Sequence, residues 1–195
     1  MAIILFGGSF DPVHNGHLAM ARAALDFLPS ARLVMIPAAC SPFKMGRSMA
    51  SEQHRLAMCR LAVGDEPHIT VSDIEFSMEK PSYTVRTVER LQLETADDYY
   101  FLCGADSFLS LARWKEYQKL LSMVSFLVAN RDGAADDALQ AQKRWVEQNG
   151  GTAYLLPMPR VDVSSTQVRQ DTTEQSHLLP PLVARYIQEN GLYKE

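Results

Sequence analysis

The sequence predicts an α/β protein built on a doubly wound parallel sheet. Short apolar runs of strand length alternate along the chain with longer stretches whose apolar residues recur at helical spacing. A glycine-rich turn, Gly7-Gly8, directly follows the first apolar run and opens the first helical stretch. The length of 195 residues suffices for one sizeable core, so we expect a single domain over residues 1–195.

The predicted elements follow from these patterns. The expected strands are Ala2–Phe6, Leu33–Ile36, Ile69–Phe76, Tyr99–Cys103, Ser125–Ala129 and, as a sixth candidate, Thr152–Leu156. The first helix is expected to bury Leu18, Ala21, Leu25 and Leu28, and the second, capped by Ser51, to bury Leu56, Cys59 and Val63. Further helices are predicted around Val85, Val88 and Leu91, through Val146, and over Val183–Asn190 with Gly191 as the stop.

Composition excludes several classes of function. A net charge of −4 indicates no basic surface for nucleic acid or for an anionic membrane. No apolar run reaches the roughly 20 residues that span a bilayer, and the N-terminus lacks the basic region of a signal peptide. The three cysteines are odd in number and never stand in Cys-x-x-Cys spacing, which favours a reducing compartment. We therefore expect a cytoplasmic protein, and the sequence leaves open whether it forms a homo-oligomer.

The strongest functional signal is the segment Gly7 to His17, Gly-Gly-Ser-Phe-Asp-Pro-Val-His-Asn-Gly-His. Its two glycines allow the backbone to approach a ligand closely, and free amides at the helix start favour phosphate. His14 and His17 are three residues apart, so both can face one phosphate chain from the same turn. Their ring N–H groups would stabilise negative charge that grows on a transferring group.

Two other interpretations of the histidines remain open at this point. They could hold a metal ion, although no third ligand is placed beside them. They could also be structural histidines whose nitrogen atoms are satisfied within the fold. The segment is neither the G-x-G-x-x-G of dinucleotide oxidoreductases nor a Walker A loop, since no Gly-Lys-Ser/Thr follows.

The segment Gly7 to His17 resembles the signature of the nucleotidyltransferases that share a His-x-Gly-His pair with class I aminoacyl-tRNA synthetases. Far downstream, Val163 to Arg169 resembles the I-S-S-T-x-I-R element of the nicotinate-nucleotide adenylyltransferases. Three more segments are similar to elements of that family: Pro81 to Thr87, Gly104 to Ser107 with Trp114, and the tail Tyr186 to Tyr193. The resemblance covers nearly the whole chain, from about Ile3 to Tyr193.

The resemblance implies a Rossmann-like nucleotidyltransferase fold and transfer of AMP from ATP to nicotinate mononucleotide, giving nicotinate adenine dinucleotide and pyrophosphate in NAD biosynthesis. The phosphate of the mononucleotide would attack the α-phosphorus of ATP without a covalent enzyme intermediate. Positioning and charge stabilisation would then supply the catalysis. Mg²⁺ would arrive with the ATP phosphates and not in a cage of protein ligands.

The resemblance also implies the site residues. His14, His17 and Arg169 are expected to be catalytic and to act on the phosphates of ATP. The acceptor's phosphate would be held by Ser9, Lys44 and Arg47, and its pyridine ring would be enclosed by Tyr83, Thr84 and Trp114. ATP would lie against the loop Gly7, Gly8 and Phe10, with Gly104 and Asp106 at the ribose. Arg131, Ser164, Ser165 and Thr166 complete the expected nucleotide site, and Ser164 would cap a short helix.

Three positions depart from the family pattern, and the first is Val88, which replaces the leucine of the family's S-Y-T-x-x-T-L element. The loop before Lys44 reads Ser41-Pro42-Phe43-Lys44, so Phe43 stands where the family usually has histidine. Arg131 lacks the Pro-Gly that commonly follows it.

Three alternative functions differ in what they explain. A sister transferase acting on another phosphate, such as pantetheine phosphate, accounts for the first signature but not for Tyr83, Trp114 and the tail together. The others are a nucleotide-binding regulator without turnover and a metal-dependent hydrolase that uses both histidines.

The acid form of the mononucleotide is expected to be preferred over the amide. The Ser82-Tyr83-Thr84 turn leads into a helix whose free backbone amides favour a carboxylate. No acidic residue between Pro81 and Thr87 could accept a hydrogen bond from an amide instead.

Overall fold

A six-stranded, wholly parallel sheet forms the centre of the protein. The structure, a computed structural model, describes residues 1–44, 49–95, 97–130, 137–158, 161 and 163–194. The strands are β1 (Ala2–Gly8), β2 (Arg32–Pro37), β3 (Ile69–Val71), β4 (Asp98–Gly104), β5 (Ser125–Asn130) and β6 (Thr152–Pro157). Their order is β3-β2-β1-β4-β5-β6, which confirms the predicted Rossmann-like, doubly wound sheet and its sixth strand.

Helices connect the strands and cover both faces of the sheet. They are α1 (Asn15–Phe27), α2 (Glu52–Val63), α3 (Thr84–Gln92), α4 (Ala105–Leu109), α5 (Tyr117–Met123), α6 (Asp137–Gln148), α7 (Ser165–Gln170) and α8 (Pro181–Glu189). Short 3₁₀ helices occupy Pro42–Lys44, Ile74–Ser77, Leu111–Arg113 and Glu174–Leu178. Within the described ranges, no helix is long and apolar enough to cross a membrane.

The central strands send alternate side chains to two separate cores. Ile4 and Phe6 of β1 pack with α1, α2 and α8, whereas Leu5 packs on the opposite face with α3 to α6. In β4, Leu102 faces the first core and Phe101 the second. Side chains alternate between the two faces along each strand and fill both cores. The residues at the ends of the strands are therefore the ones that a ligand can reach.

The strand predicted over Ile69–Phe76 is wrong beyond Val71. Only three residues of β3 pair with β2, and a 3₁₀ turn begins at Ile74. The hydroxyl of Ser72 accepts a hydrogen bond from the backbone N–H of Ile74 at 3.3 Å. This local bond offers the backbone an alternative to the sheet ladder and ends the strand.

The predicted buried faces of the first two helices are partly wrong. In α1 the buried residues are Gly16, Met20, Ala21 and Ala24, whereas Leu18, Leu25 and Leu28 are only partly buried. Small residues therefore line the face of α1 that lies on the sheet.

In α2, Ser51 accepts a hydrogen bond from the backbone N–H of His54 at 3.2 Å, which confirms the predicted cap. Its buried residues are Arg55, Met58 and Cys59, in place of the predicted Leu56 and Val63. The burial of an arginine in this set has consequences for the site described below.

The C-terminal helix begins two residues before the predicted Val183, at Pro181, since proline is favoured in a first helical turn. Gly191 follows it with a left-handed φ of 60°, as expected for a stop.

We predict that thiol reagents distinguish the three cysteines of the folded protein. Cys59 and Cys103 are buried, and burial raises the pKa of the Cys59 thiol and raises the pKa of the Cys103 thiol to about 12. Cys40 is only partly buried. Iodoacetamide at neutral pH should therefore modify Cys40 alone, as measured by peptide mass spectrometry, and all three cysteines after unfolding in guanidinium. Equal labelling of Cys59 and Cys40 in the native protein would contradict this packing.

Candidate active site

A large cavity opens where the strand order reverses, beyond the carboxyl ends of β1 and β4. It has a volume of about 1130 Å³, slightly above the usual range for small-molecule sites. Its walls contain most of the residues predicted to bind ligand: Gly7, Gly8, Ser9, Phe10, His17, Tyr83, Thr84, Gly104, Asp106, Trp114 and Ser165. Residues from four separate parts of the sequence thus meet in one place.

The loop after β1 is fixed by Phe10. This residue has a left-handed φ of 46° and is 1% exposed. Its ring meets the rings of Phe6 and His17 edge to face, with centroids 5.3 and 5.0 Å away. A Cβ on Gly8 would lie 2.9 Å from the Phe10 ring, so the loop needs glycine at that position.

The two histidines of the loop play different structural roles. The backbone N–H of His14 donates a hydrogen bond to Nδ1 of His17 at 3.2 Å. Because Nδ1 accepts this bond, the proton of the neutral His17 ring lies on Nε2. His17 lines the cavity, whereas His14 is 3% exposed and stacks against His17 with ring centroids 3.7 Å apart.

Gly16 makes this stacking possible. A Cβ at position 16 would lie 2.9 Å from Cγ1 of Val163 and 3.1 Å from Nδ1 of His14. The third glycine of the signature, Gly16, therefore gives the His14 ring its place between the loop and the segment before α7.

Arg55 lies buried beside the loop after β1, with 1% of its surface exposed. Its guanidinium donates hydrogen bonds to four backbone carbonyls: Ser9 at 2.9 Å, Ala38 at 2.6 Å, Ala39 at 3.4 Å and Ala50 at 3.1 Å. These contacts connect the loop after β1 to the segment after β2. The spacing of Arg55 three and four residues before Met58 and Cys59 is the sequence signal that could have placed it in the core.

The far end of the cavity is built around the start of α3. The hydroxyl of Ser82 accepts hydrogen bonds from the backbone N–H groups of Ala39 and Cys40, at 3.0 and 3.2 Å. The backbone N–H of Ser82 donates in turn to the Cys40 carbonyl at 2.8 Å. Tyr83 is the residue before the first turn of α3 and Thr84 begins it.

Trp114 lies on the wall near this end, and its position is set by packing. Its ring meets Phe101 of β4 edge to face, with centroids 5.6 Å apart. Its indole N–H donates to the hydroxyl of Ser110 at 3.4 Å. The indole is therefore held in one orientation before any ligand arrives.

Glu75 is a cavity residue that the sequence pattern did not indicate. It is 7% exposed, and one carboxylate oxygen accepts a hydrogen bond from the hydroxyl of Thr87 at 2.7 Å. The other oxygen, Oε2, has no hydrogen-bond partner among the residues that the structure describes. Between Pro81 and Thr87 the sequence has no acidic residue that could accept a hydrogen bond from an amide. Glu75, in the 3₁₀ turn before that segment, supplies such an acceptor.

Another part of the cavity wall follows β4. Gly104 precedes α4, and Asp106 is in the first turn of that helix. Ser165 also lines the cavity, and its hydroxyl donates to the Pro12 carbonyl at 2.9 Å. Neither α4 nor α5 is predicted by the sequence, because both are short and start inside segments that read as loops.

The motif at α7 is only partly on the cavity wall. Ser164 accepts a hydrogen bond from the backbone N–H of Gln167 at 3.1 Å, which confirms its predicted role as a cap. Arg169 donates to the Asp11 carbonyl at 2.6 Å and to the Thr166 hydroxyl at 3.2 Å. Its side chain is 31% exposed.

Several predicted site residues are not on the described wall of the cavity. His14, Ser164, Thr166 and Arg169 are not among the residues that line the cavity. Lys44 ends the 3₁₀ helix Pro42–Lys44. Arg47 and Arg131 lie outside the described residues.

Phe43, which departs from the family pattern, lies on the rim of the cavity. It is 51% exposed, and the Arg113 guanidinium carbon lies 5.9 Å from the centroid of its ring. Both side chains line the cavity, so an aromatic and a cationic group face each other at its mouth.

No group of three histidine, cysteine, aspartate or glutamate side chains that could hold a metal ion occurs in the described part of the chain.

Comparison with known proteins agrees with these observations. Residues 5–171 match the model of the cytidylyltransferase-like family. The chain is 38% identical over 193 residues to the probable nicotinate-nucleotide adenylyltransferase of Roseiflexus sp. strain RS-1, covering 97% of this chain and 96% of that protein. It is also 38% identical over 201 residues to the probable nicotinate-nucleotide adenylyltransferase of Neisseria meningitidis strain FAM18, covering 98% of both.

Among solved structures, the chain is similar to the Plasmodium falciparum nicotinic acid mononucleotide adenylyltransferase complexed with NaAD. The TM-score is 0.75 at 22% sequence identity, over 98% of this chain and 97% of the other. The same parasite enzyme complexed with APC gives a TM-score of 0.74 at 21% identity, over 98% and 96% of the two chains. These likenesses show the fold.

We predict that Arg55→Met destabilises the protein strongly. The substitution removes the donors of four backbone carbonyls in a buried region, and each buried group left without a partner costs about 1–3 kcal/mol. The free energy of unfolding in urea should fall by roughly 3–5 kcal/mol.

The matched control is Arg60→Met on the same helix. Arg60 has a side chain 60% exposed and an ion pair with Asp73 at 3.9 Å. Its loss should change stability by no more than about 0.5 kcal/mol. Equal effects of the two substitutions would show that the buried guanidinium does not hold the loops.

Proposed function

The chain belongs to the cytidylyltransferase-like family and, within it, to the nicotinate-nucleotide adenylyltransferases, and on that premise we propose how its residues carry out the reaction. The enzyme transfers AMP from ATP to nicotinate mononucleotide and releases pyrophosphate. The product is nicotinate adenine dinucleotide, an intermediate of NAD biosynthesis. One observation supports the assignment of roles. His17 and its loop, Asp106, and the pair Tyr83 and Trp114 all line one cavity where the strand order reverses.

His17 is the main donor to the transferring phosphate. A phosphate oxygen of the mononucleotide attacks the α-phosphorus of ATP, and the bond to the leaving pyrophosphate breaks. Negative charge grows on the oxygens around that phosphorus and on the leaving group. With Nδ1 occupied by the His14 backbone, His17 offers Nε2–H to these oxygens, and such a donor contributes most in the transition state.

His14 supports His17 from behind. Its backbone N–H sets the tautomer of His17, and its buried ring stacks against the His17 ring at 3.7 Å. The ring of His14 is 3% exposed, so its contribution is orientation of its neighbour.

The acceptor occupies the side of the cavity between β1 and α3. Ser9, Lys44 and Arg47 hold its phosphate, and Tyr83, Thr84 and Trp114 enclose its pyridine ring. The support for this placement is that Ser9 and Tyr83 line one cavity and that Trp114 presents a fixed aromatic surface there.

ATP occupies the side next to β4 and α7. Asp106 accepts hydrogen bonds from the ribose hydroxyls, with Gly104 beside it leaving space for the sugar. The backbone of Gly7, Gly8 and Phe10 lies along the phosphates, and Ser164, Ser165, Thr166, Arg169 and Arg131 bind the adenylate and the leaving pyrophosphate. Mg²⁺ enters as part of the Mg-ATP substrate.

We propose that the whole chain acts as one domain, since α8 packs into the same core as β1. We place the enzyme in the cytoplasm, because its three cysteines are free thiols that suit a reducing compartment.

His17→Ala should lower kcat by roughly 10²–10³, the usual cost of losing one transition-state donor. Release of pyrophosphate from Mg-ATP and nicotinate mononucleotide measures the effect. His68→Ala, which removes an exposed histidine before β3, is the control and should turn over as the unmodified protein does. Normal turnover by His17→Ala would refute the role of His17.

Nicotinate mononucleotide should be preferred to its amide by about 10² or more in kcat/KM at saturating Mg-ATP. Backbone N–H groups at the start of α3 bond a carboxylate, whereas an amide NH₂ would leave them facing another donor. Glu75 opposes this preference, because its Oε2 could accept from an amide at the same side of the cavity. Equal values, or a preference for the amide, would refute the specificity while leaving adenylyl transfer intact.

A further inference from the structure

The C-terminal tail reaches back to the signature loop through one hydroxyl group. Tyr193 donates a hydrogen bond to Oδ1 of Asp11 at 2.7 Å, across 182 residues of sequence. The backbone of Tyr193 has a left-handed φ of 61°, a conformation that is costly for a residue other than glycine. The tail therefore adopts an unfavourable backbone conformation at the residue whose hydroxyl meets the loop.

Asp11 is a buried carboxylate, 3% exposed, that lies between the tail and Arg169. Its Oδ1 accepts both from Tyr193 and from the backbone N–H of Ala50, the latter at 3.1 Å. Its Oδ2 lies 3.8 Å from Nη1 of Arg169, too far for a hydrogen bond. The same Nη1 instead donates to the backbone carbonyl of Asp11 at 2.6 Å.

This arrangement keeps Arg169 close to Asp11 without a full ion pair. A buried carboxylate needs hydrogen-bond donors, because water does not reach it. Burial raises the pKa of the Tyr193 hydroxyl, and its hydrogen bond to Asp11 raises the pKa further, so the group stays protonated and keeps donating. If this donor were lost, the Arg169 guanidinium at 3.8 Å is the cation that the described residues place within reach of the carboxylate.

We infer that Tyr193 is a positioning residue: by satisfying Asp11 it prevents the carboxylate from pairing fully with Arg169, and so leaves the guanidinium available for the polyphosphate of ATP. This inference rests on the proposed role of Arg169. It gives the C-terminal tail a part in substrate binding that is separate from the packing of its Leu192 and Tyr193 side chains on the core.

Tyr193→Phe tests the inference, with Tyr186→Phe as the matched control. Each substitution removes one phenolic hydroxyl from the C-terminal region and keeps the ring, and the Tyr186 hydroxyl is also hydrogen-bonded, to Nδ1 of His54 at 2.9 Å. Both variants should show a similar small fall in Tm. Only Tyr193→Phe should lower kcat, by roughly tenfold, and raise the KM for ATP, while the KM for nicotinate mononucleotide stays unchanged. A purely structural role would not single out one substrate.

A second measurement asks whether Tyr193 acts through Arg169. In an Arg169→Met background the guanidinium is absent, so adding Tyr193→Phe should cause no further loss of activity. If the two residues acted independently, the two losses of activity would multiply. If Arg169→Met is too slow for kinetics, the affinity for Mg-ATP is measured by calorimetry instead. It allows the same comparison of the unmodified protein, the two single variants and the double variant.

The outcomes separate the inference from the function on which it rests. An unmodified protein that does not form the dinucleotide contradicts the proposed roles altogether. An active protein in which Tyr193→Phe and Tyr186→Phe behave alike, or in which the Tyr193 and Arg169 losses multiply, overturns the inference and leaves the function standing.

Discussion

The site depends on two opposite charges buried on either side of Ala50. Asp11 accepts a hydrogen bond from the backbone N–H of Ala50, and Arg55 donates one to its carbonyl. Neither charged group is exposed by more than 3%, so each must be satisfied by fixed protein dipoles in place of water. The loop after β1, the segment after β2 and the C-terminal tail supply these dipoles. Their carbonyls reach Arg55 and their donors reach Asp11 only when the three segments adopt one fixed arrangement. The geometry of the cavity follows from this electrostatic requirement as much as from apolar packing.

The topology of the sheet explains which parts of the sequence can take part. Because β1 pairs with β2 on one side and β4 on the other, the loops after β1 and β4 leave the sheet on opposite faces and a crevice opens between them. The alternation of side chains along β1 and β4 fills the two cores and leaves the loop residues after them for the ligand. Motifs 97 residues apart, at Gly7 and Gly104, therefore become the two walls of one cavity.

More of the fold than of the hydrogen-bond network around the site could be predicted from the sequence. Apolar runs marked all six strands, because strands buried on both faces are apolar throughout. Ile69–Phe76 was extended too far, since the hydroxyl bond of Ser72 is a local effect that hydrophobicity does not register. Arg55 and Glu75 escaped prediction for a related reason. A charged residue is read as exposed, and what makes its burial tolerable here is a set of carbonyls or a hydroxyl distant in sequence. The motif predicted Arg169, but not that its guanidinium would donate a hydrogen bond to the Asp11 carbonyl.

The charge distribution explains how a protein of net charge −4 can hold two polyanionic substrates. A surface field of that sign repels them, so attraction has to come from groups close to the phosphates and shielded from water, where an electrostatic interaction is stronger than at the surface. Arg55 supplies a positive charge behind Ser9, and α1 begins at the histidine loop with no acidic residue in its first turn. Asp11 is the exception, a negative charge at the edge of the same site, and its donors Ala50 and Tyr193 compensate it locally. The charges next to the cavity are therefore compensated one by one within the fold, and the overall charge of the protein does not describe them.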